Sequence, residues 1–221
     1  MSRHVVLGLF AEGPSDFSFL LGLLAREAFD LVGRGGTQSV IVSEPVVRLD
    51  GRSAEERARS ACGVEREIDV FVVHGDASRT ARANVERLVV AELRGRASTL
   101  CGLPAARFVG LLPVREMEAG ALADADAIAQ ACGYASWPAD KAPSWDPGDA
   151  ERIPDPKRAL DDAIGTLLGQ RRRRRSVAAA AYLNCIGETA RLDRLRRLDS
   201  YARFASDLRD AFDLLGLLRR T

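Results

Sequence analysis

Short apolar runs alternate with helical segments in the first 132 residues, and this alternation restricts the fold more than any other feature. The runs suited to strands lie at residues 4–10, 68–73 and 107–114, and an extended segment broken by Pro45 covers 38–48. Helical patterns separate them, at residues 15–31, from Ser53 onward, at 79–94 and from 116 to 132. Because parallel strands require crossover connections, this order predicts an α/β fold with a mostly parallel sheet and helices on both faces.

Two of the predicted helices begin with capping signals. Ser15 is an N-cap candidate for the first helix, with Asp16 in the first turn, where the helix dipole favours an acid. Ser53 and Glu56 have the spacing of a capping box, which predicts a second helix start at that position.

The rest of the chain divides into two parts. Residues 133–156 are rich in proline and contain Trp137 and Trp145, which we interpret as an ordered loop pinned to the body by its tryptophans; base stacking is the alternative for these side chains. Residues 157–221 have a helical pattern interrupted by five consecutive arginines. The predicted organisation is an α/β core at 1–132, a connecting loop at 133–156 and a basic helical C-terminal region at 157–221.

The net charge of +1 conceals an uneven distribution. Residues 1–151 carry 16 basic and 22 acidic side chains, whereas residues 152–221 carry 16 basic and 9 acidic ones. An acidic first part beside a basic second part suits a metal site next to a surface for a polyanion such as nucleic acid. Arginine accounts for 30 of the 32 basic residues, so genome composition is an alternative source of the basic charge.

Cysteine usage and hydropathy bear on the compartment. We expect Cys62, Cys101, Cys132 and Cys185, which form no CxxC pair, to be reduced and buried rather than bonded in disulfides or to zinc. There is no run of 18 apolar residues and no signal-peptide pattern at the N-terminus. These features predict a cytoplasmic protein without membrane contact.

Acidic residues follow three of the predicted strands. Glu12 follows the first strand, Asp76 the third, and Glu116 with Glu118 the fourth. Because the carboxyl ends of parallel strands meet at one edge of a sheet, we expect these carboxylates to converge. Clustered carboxylates repel each other unless a cation or a shared proton neutralises them, and their hard oxygen atoms suit Mg²⁺ or Mn²⁺.

Each of these acids also has a purely structural interpretation. Asp76 and Glu116 could instead stabilise the N-termini of the helices that follow them. His74 could bind a metal or transfer a proton, or it could be a polar residue at a strand end. Ser15, in the turn after Glu12, is a further candidate for the site.

Basic residues near these acids are candidates for holding phosphate. Lys157 and Arg158 begin the C-terminal helical region, and Arg171, Arg172 and Arg173 belong to the arginine run. Contacts of such residues with a nucleic acid backbone would be independent of base sequence and sensitive to salt. Arg115 lies beside Glu116 and could either bind phosphate or neutralise the acids through an ion pair.

Several of these segments resemble a known family. AEGPSD at residues 11–16 and HGD at 74–76 resemble the strand-end glutamate and DxD of Toprim domains. LLPVREMEAGALAD at 111–124, IPDPKRAL at 153–160 and the helices of residues 187–212 resemble the Toprim-like domain-of-unknown-function family 4276. The resemblance covers most of the chain and implies a Toprim-like core with a helical C-terminal extension.

The resemblance also implies roles for individual residues. Glu12 corresponds to the Toprim glutamate, which binds metal or acts as an acid–base group, and Asp76 to the second aspartate of DxD, a metal ligand. Glu116 and Glu118 match the acidic pair of the family, and Lys157 matches its DPK lysine. Two positions depart from the pattern: His74 replaces the first aspartate of DxD, and Gly120 stands where many relatives have tryptophan.

Together these observations predict a Mg²⁺- or Mn²⁺-dependent nuclease, which the resemblance places in a bacterial defence or mobile-element setting. The alternative is a non-catalytic binding or adaptor subunit that works with an ATPase partner. A third interpretation is a phosphatase or nucleotidyl enzyme acting on a small phosphate ester. A homo-oligomer is compatible with each of them.

Overall fold

A parallel four-stranded sheet forms the centre of the molecule, as the alternation of strands and helices predicts. The computed structural model describes residues 3–35, 40–44, 46–75, 86–141, 143–169 and 179–218. The sheet has the order β4-β2-β5-β6, with all neighbours parallel. Its strands are β2 (Leu7–Phe10), β4 (Val47–Leu49), β5 (Val70–His74) and β6 (Phe108–Leu111).

A second, two-stranded parallel sheet continues one side of the first. It pairs β1 (Arg3–Val5) with β3 (Val40–Val42). Val6 separates β1 from β2, and its backbone N–H donates to Asp69 Oδ2 at 2.8 Å. The first predicted strand is therefore one extended segment that pairs with β3 before Val6 and with β4 and β5 after it.

Both faces of the central sheet are covered by helices. Successive strand residues point to opposite faces: Val70 and Val72 of β5 belong to one core cluster, and Phe71 and Val73 to the other. The helices α2 (Ala54–Gly63) and α3 (Glu92–Cys101) cover the face of Phe71, and α1 (Pro14–Gly35) covers the opposite face. This arrangement confirms the predicted fold class.

The helix starts agree with the capping signals in one case out of two. The capping box of Ser53 and Glu56 is present, because each side chain accepts a backbone N–H from the other residue. The prediction that Ser15 is an N-cap is wrong, because α1 already begins at Pro14. Proline suits the first helical position since it has no N–H to leave unbonded there. Asp16 then accepts the Gly13 N–H at 2.9 Å.

Two predicted helices have different bounds in the structure. The helix expected at residues 79–94 lies partly outside the described residues; its described part is a π-helical turn, Glu86–Ala91, that leads into α3 and ends at Cys101. The helix expected at 116–132 is divided into α4 (Glu118–Leu122) and α5 (Ala125–Ala131). Asp124 divides them because its side chain accepts the N–H groups of Asp126 and Ala127 as an N-cap.

The tryptophans of the connecting loop pack against the body and against each other. The two rings meet edge to face with centroids 5.5 Å apart, and Trp145 Nε1 donates to the Leu122 carbonyl at 3.0 Å. Short 3₁₀ turns at Ala139–Lys141 and Pro147–Arg152 form much of the loop. The interpretation of these tryptophans as pins is confirmed.

The C-terminal helices complete the core on the α1 side. They are α6 (Pro156–Leu167), α7 (Leu183–Thr189), α8 (Leu192–Leu195) and α9 (Asp199–Leu214). Buried residues such as Leu160, Ile186 and Phe204 lie in the same apolar cluster as Leu9 of the sheet. This region is therefore packed into the α/β core. The arginine run at residues 171–175 lies outside the described residues.

The cysteine prediction is wrong for one pair. Cys62 at the end of α2 and Cys101 at the end of α3 form a disulfide, whereas Cys132 and Cys185 are free. The chain positions, 39 residues apart, gave no pairing signal; the packing of α2 against α3 brings the two thiols together. Disulfides persist mainly in oxidising compartments, so this bond gives no support to the predicted cytoplasmic location.

None of the helices in the described ranges is both long enough and apolar enough to cross a membrane.

Candidate functional site

The order of the strands creates a crevice at the carboxyl ends of β2 and β5. The connection after β2 passes through α1 to β4 on one side, and the connection after β5 passes through α3 to β6 on the other. Since α1 and α3 cover opposite faces, the two connections diverge between these neighbouring strands. Open α/β sheets bind ligands at such a switch point. We refer to this place as the strand-end crevice.

The strand order brings the ends of three strands to one edge of the sheet. β2, β5 and β6 are adjacent, and neighbouring strands lie about 4.8 Å apart, so their ends fall within about 10 Å of one another. Glu12 follows β2 by two residues, His74 is the last residue of β5, and Glu116 follows β6 by five residues. The convergence of the four acids stays a prediction, because in the described ranges no three His, Cys, Asp or Glu side chains are grouped closely enough to hold a metal ion.

Glu12 is exposed at the mouth of the crevice. One of its carboxylate oxygens, Oε1, lies 3.7 Å from the position that a Cβ would take on Gly75. The Glu12 side chain thus extends over the end of β5, where the segment containing Asp76 begins. Asp76 itself lies outside the described residues, so its predicted place in the site stays a prediction.

His74 is buried at the base of the crevice, with a relative exposure of 1%. Its Nδ1 lies 3.7 Å from Asp16 Oδ2. Burial lowers the pKa of His74 to about 4, although Asp16 raises it and Arg57 lowers it further. The imidazole is therefore neutral at pH 7.

Glu116 and Glu118 form a half-buried pair beyond the end of β6. In the described part of the chain, no hydrogen-bond donor reaches the enclosed atom Glu116 Oε2. Burial raises the pKa of Glu118, and the charges of Glu116 and Asp16 raise it further, while Lys157 lowers it. The pair is therefore short of positive charge, and Glu118 holds a proton more readily than an exposed glutamate does.

Several other predicted residues occupy clear positions. Lys157 lies in the first turn of α6, exposed and close enough to act on Glu118. Arg158 is exposed and lies 4.0 Å from Asp162, so it faces its own helix.

Arg115 donates to the Pro154 carbonyl at 3.3 Å, and no ion pair joins it to the acids within the described ranges. Arg171, Arg172 and Arg173 lie outside those ranges.

Ser15 and Gly120 both lie next to α1. Ser15 is half-buried in the first turn of α1, and its role in the site stays a prediction. A Cβ on Gly120 would lie 3.4 Å from the Phe19 ring, so Phe19 fills the space next to this glycine.

The sequence missed two members of the crevice. The sequence predicts Asp16 only as a helix-start acid, yet its Oδ2 faces His74 as well as the Gly13 N–H. Arg57 of α2 is buried, and it acts electrostatically on both Glu12 and His74. Asp16 could have been found from its position four residues after Glu12, one helical turn on. Arg57 carries no such signal, because α2 is not adjacent to the other site residues in sequence.

The donor atoms suit a hard divalent cation, but the described residues alone do not complete a site. Carboxylate oxygens of Glu12, Glu116 and Glu118 are the kind of ligand that Mg²⁺ takes, and the enclosed Glu116 Oε2 accepts no hydrogen bond from the described residues. Within the described ranges, no three His, Cys, Asp or Glu side chains are grouped closely enough to hold a metal ion. Completion of a site would depend on Asp76.

Comparison with protein-family models, curated proteins and solved structures finds no match to this chain. The resemblance to Toprim-like proteins is accordingly confined to the segments at residues 11–16, 74–76, 111–124, 153–160 and 187–212.

Proposed function

We propose that the protein is a Mg²⁺- or Mn²⁺-dependent nuclease that hydrolyses phosphodiester bonds in the strand-end crevice. One observation carries the proposal: Glu116 Oε2 is enclosed without a hydrogen-bond donor from the described residues, beside a second carboxylate whose pKa is raised. Enclosed carboxylate atoms without donors are rare in folds unless a cation or a reacting group completes them. Their position after β6, the neighbour of β5 in the sheet, supports a site at the carboxyl edge rather than a packing defect.

The metal would be held by Glu12, Asp76 and Glu116, with Glu118 beside them. Such an ion polarises a phosphoryl oxygen and offsets the charge that develops on it. Glu118 would carry a proton to or from the reacting oxygens, because its raised pKa lies closer to neutrality than that of an exposed glutamate. Glu12, exposed at the mouth, could approach an incoming substrate as a ligand or an acid–base group.

The nucleic acid would be held by basic residues of the C-terminal region. Lys157 lies close to Glu118, which suits a contact with the phosphate next to the scissile bond. Arg158 and the arginine run of residues 171–175 would extend this contact along the backbone. We place the activity in bacterial defence, on the sequence resemblance alone.

The experiment is a cleavage assay with single- and double-stranded DNA and RNA in Mg²⁺ or Mn²⁺. We expect Glu12→Gln and Asp76→Asn to lower the cleavage rate about 100-fold or more, as removal of a group acting in the transition state does. Glu67→Gln, an exposed glutamate before β5, is the matched control and should leave the rate unchanged. The absence of cleavage with every substrate and metal would refute the proposal. Activity on nucleotides but not on polymers would indicate a phosphatase.

A second candidate is a non-catalytic binding subunit with an ATPase partner. The specific observation in its favour is His74, which is buried and neutral where Toprim domains have a first aspartate. A neutral imidazole binds Mg²⁺ poorly, since this ion prefers oxygen ligands. Calorimetric titration with Mg²⁺ and Mn²⁺ separates the candidates: the nuclease binds one of them, and binding lost in Asp76→Asn would place the ion in the crevice.

A further inference from the structure

Arg57 is a buried cation at the edge of the strand-end crevice that the nuclease proposal leaves without a role. Its relative exposure is 7%, and its guanidinium lies 5.9 Å from the Phe10 ring centre at the end of β2. Glu12 favours its charged form, which burial disfavours. Its Nε bonds to Gly51, two residues after β4, whereas Glu116 and Glu118 follow β6 at the other end of the strand order.

The side-chain hydrogen bonds of Arg57 leave most of its donors available. Nε donates to the Gly51 carbonyl at 3.0 Å, and this is the only hydrogen bond from the guanidinium to the residues that the structure describes. No carboxylate oxygen of those residues lies within the 4.0 Å of an ion pair, and Glu12 acts on Arg57 at longer range. Nη1 and Nη2 are not sealed from solvent. A nearly buried arginine that pairs with no carboxylate of the described ranges is costly for a fold, which suggests that an anion completes it.

The surrounding backbone is shaped to hold Arg57 in place. Gly51 has a φ of +153°, and a Cβ there would lie 2.6 Å from the Arg57 Cγ, so only glycine fits. The capping box of Ser53 and Glu56 fixes the first turn of α2, and Glu56 directly precedes Arg57. Glu56 Oε2 additionally accepts the Arg52 N–H at 2.7 Å. The stem of Arg57 is thus fixed while its outer nitrogens remain open.

We infer that Arg57 binds a phosphoryl group in the crevice, its two outer nitrogens donating to two non-bridging oxygens. The planar guanidinium fork matches this pair of oxygens, whereas a lysine offers a single point charge. The site is specific for the phosphoryl group, whether it is free phosphate or the phosphate of a nucleotide. This inference deepens the proposed function, because Arg57 would hold the substrate phosphate opposite the carboxylates.

The test is calorimetric titration of the full chain with inorganic phosphate and, separately, with thymidine 5′-monophosphate, each with and without Mg²⁺. We expect Arg57→Gln to weaken binding about 10- to 100-fold, the loss typical of a charge-assisted pair of hydrogen bonds. The affinity of Arg57→Lys for the probes should lie between that of Arg57→Gln and that of the unaltered protein. Arg59→Gln is the matched control, since Arg59 is an exposed arginine two residues further along α2, paired with Glu55, and its affinity should stay within about 2-fold.

Two results would overturn the inference. One is an unaltered protein that binds neither probe under either condition, and the other is an Arg57→Gln variant that binds as well as the unaltered protein. If Arg57→Gln does not fold, Arg57→Lys replaces it in the test. Undiminished affinity of Arg57→Lys would then contradict the inference in the same way. If phosphate binding depends on Arg57 but the protein cleaves no substrate, the nuclease proposal is refuted and the phosphate site at Arg57 is supported. Binding of both probes with equal affinity identifies the phosphoryl group alone as the ligand, and preference for the nucleotide adds a contact to its sugar or base.

Discussion

Two regions of this protein bury carboxylates, and they differ in how those carboxylates are partnered. In the strand-end crevice, Glu116 Oε2 lacks a donor from the described residues. In the second region, which we refer to as the Asp124 hub (Asp124, Asp126, Arg191 and Arg194), the buried carboxylate is fully used. Asp124 accepts the Arg191 N–H at 2.8 Å and Arg194 Nη1 at 2.5 Å, in addition to its two N-cap bonds.

The comparison shows that hydrogen bonding, and not the pKa shift, separates a structural carboxylate from a functional candidate. Burial raises the pKa of both Asp124 and Glu118. The hub nevertheless satisfies its acid and so joins α5 to the C-terminal helices, whereas the crevice leaves oxygen atoms available for a ligand. The following predictions concern this contrast, in order of their effect on the free energy of unfolding.

The largest effect is expected from Asp124→Ala. The substitution removes one of the two carboxylates that hold the partly buried Arg194, leaving it only Asp126, and it removes the N-cap of α5, so the free energy of unfolding should fall by about 3–5 kcal/mol. Urea denaturation followed by circular dichroism measures this change. Asp193→Ala on α8, an exposed position, is the control and should differ by less than about 0.5 kcal/mol. A loss below about 1 kcal/mol in Asp124→Ala would show that the Asp124 hub contributes little to the stability of the fold.

The next effect is a loss of stability in acid caused by His74. Its pKa is about 4 in the folded protein and 6.5 in the unfolded chain, so the unfolded chain binds the proton first. The contribution of His74 to the free energy of unfolding is fully present above pH 6.5 and is lost as the pH falls to 4. The loss is about 3 kcal/mol, at about 1.36 kcal/mol per pKa unit. The charged groups that face His74 are Asp16 and Arg57.

Denaturation of the unaltered protein and of His74→Asn, measured over this pH range, isolates the histidine from the other titrating groups. The variant should be less stable at pH 7 because a packed side chain is lost, but its stability should depend less steeply on pH. Equal slopes in the two proteins would mean that the imidazole is accessible to protons in the folded state.

A smaller effect is expected at a second satisfied carboxylate, Glu27 of α1. Its oxygens accept the Tyr201 hydroxyl at 2.9 Å and Arg196 Nη2 at 2.7 Å, and Tyr201 is buried. Tyr201→Phe removes one hydrogen bond to a charged acceptor, so we expect unfolding to become easier by about 1.5–3 kcal/mol. Thermal and urea denaturation should agree on the sign. Unchanged stability would show that Arg196 alone satisfies this carboxylate.

The smallest effect on stability is expected from Glu116→Gln in the crevice. The amide keeps the shape of the side chain and removes the repulsion with Glu118, so stability should stay within about 1 kcal/mol or rise. Cleavage, if the proposed function is correct, should fall about 100-fold in the same variant. A loss of more than about 2 kcal/mol would show that Glu116 stabilises the fold as Asp124 does, and the two regions would then not differ in this respect.

The strand ends could be predicted from the sequence because they depend on local patterns. A buried parallel strand is a short apolar run, and the polar residues that follow it must lie at the carboxyl edge of the sheet. This reasoning located Glu12, His74 and Glu116. The capping box at Ser53 was likewise visible, since both of its hydrogen bonds join residues within one turn.

The features that the sequence missed depend on contacts between distant segments. The Cys62–Cys101 disulfide requires α2 to pack against α3, and nothing in the local sequence of either helix indicates this pairing. The break at Asp124 was missed for the same reason. Its carboxylate is held by Arg191 and Arg194 from the C-terminal helices, which stabilises an N-cap in the middle of a helical pattern.

The sequence by itself determined the α/β class and the placement of polar residues after the strands, because the period of apolar residues and the direction of parallel strands are local properties. Only the tertiary structure decided which carboxylates are satisfied. That outcome depends on whether a donor from another element, such as Arg194 or Tyr201, arrives within hydrogen-bond distance. The position of Arg57 at the edge of the crevice was decided in the same way, by the packing of α2 against the end of β2.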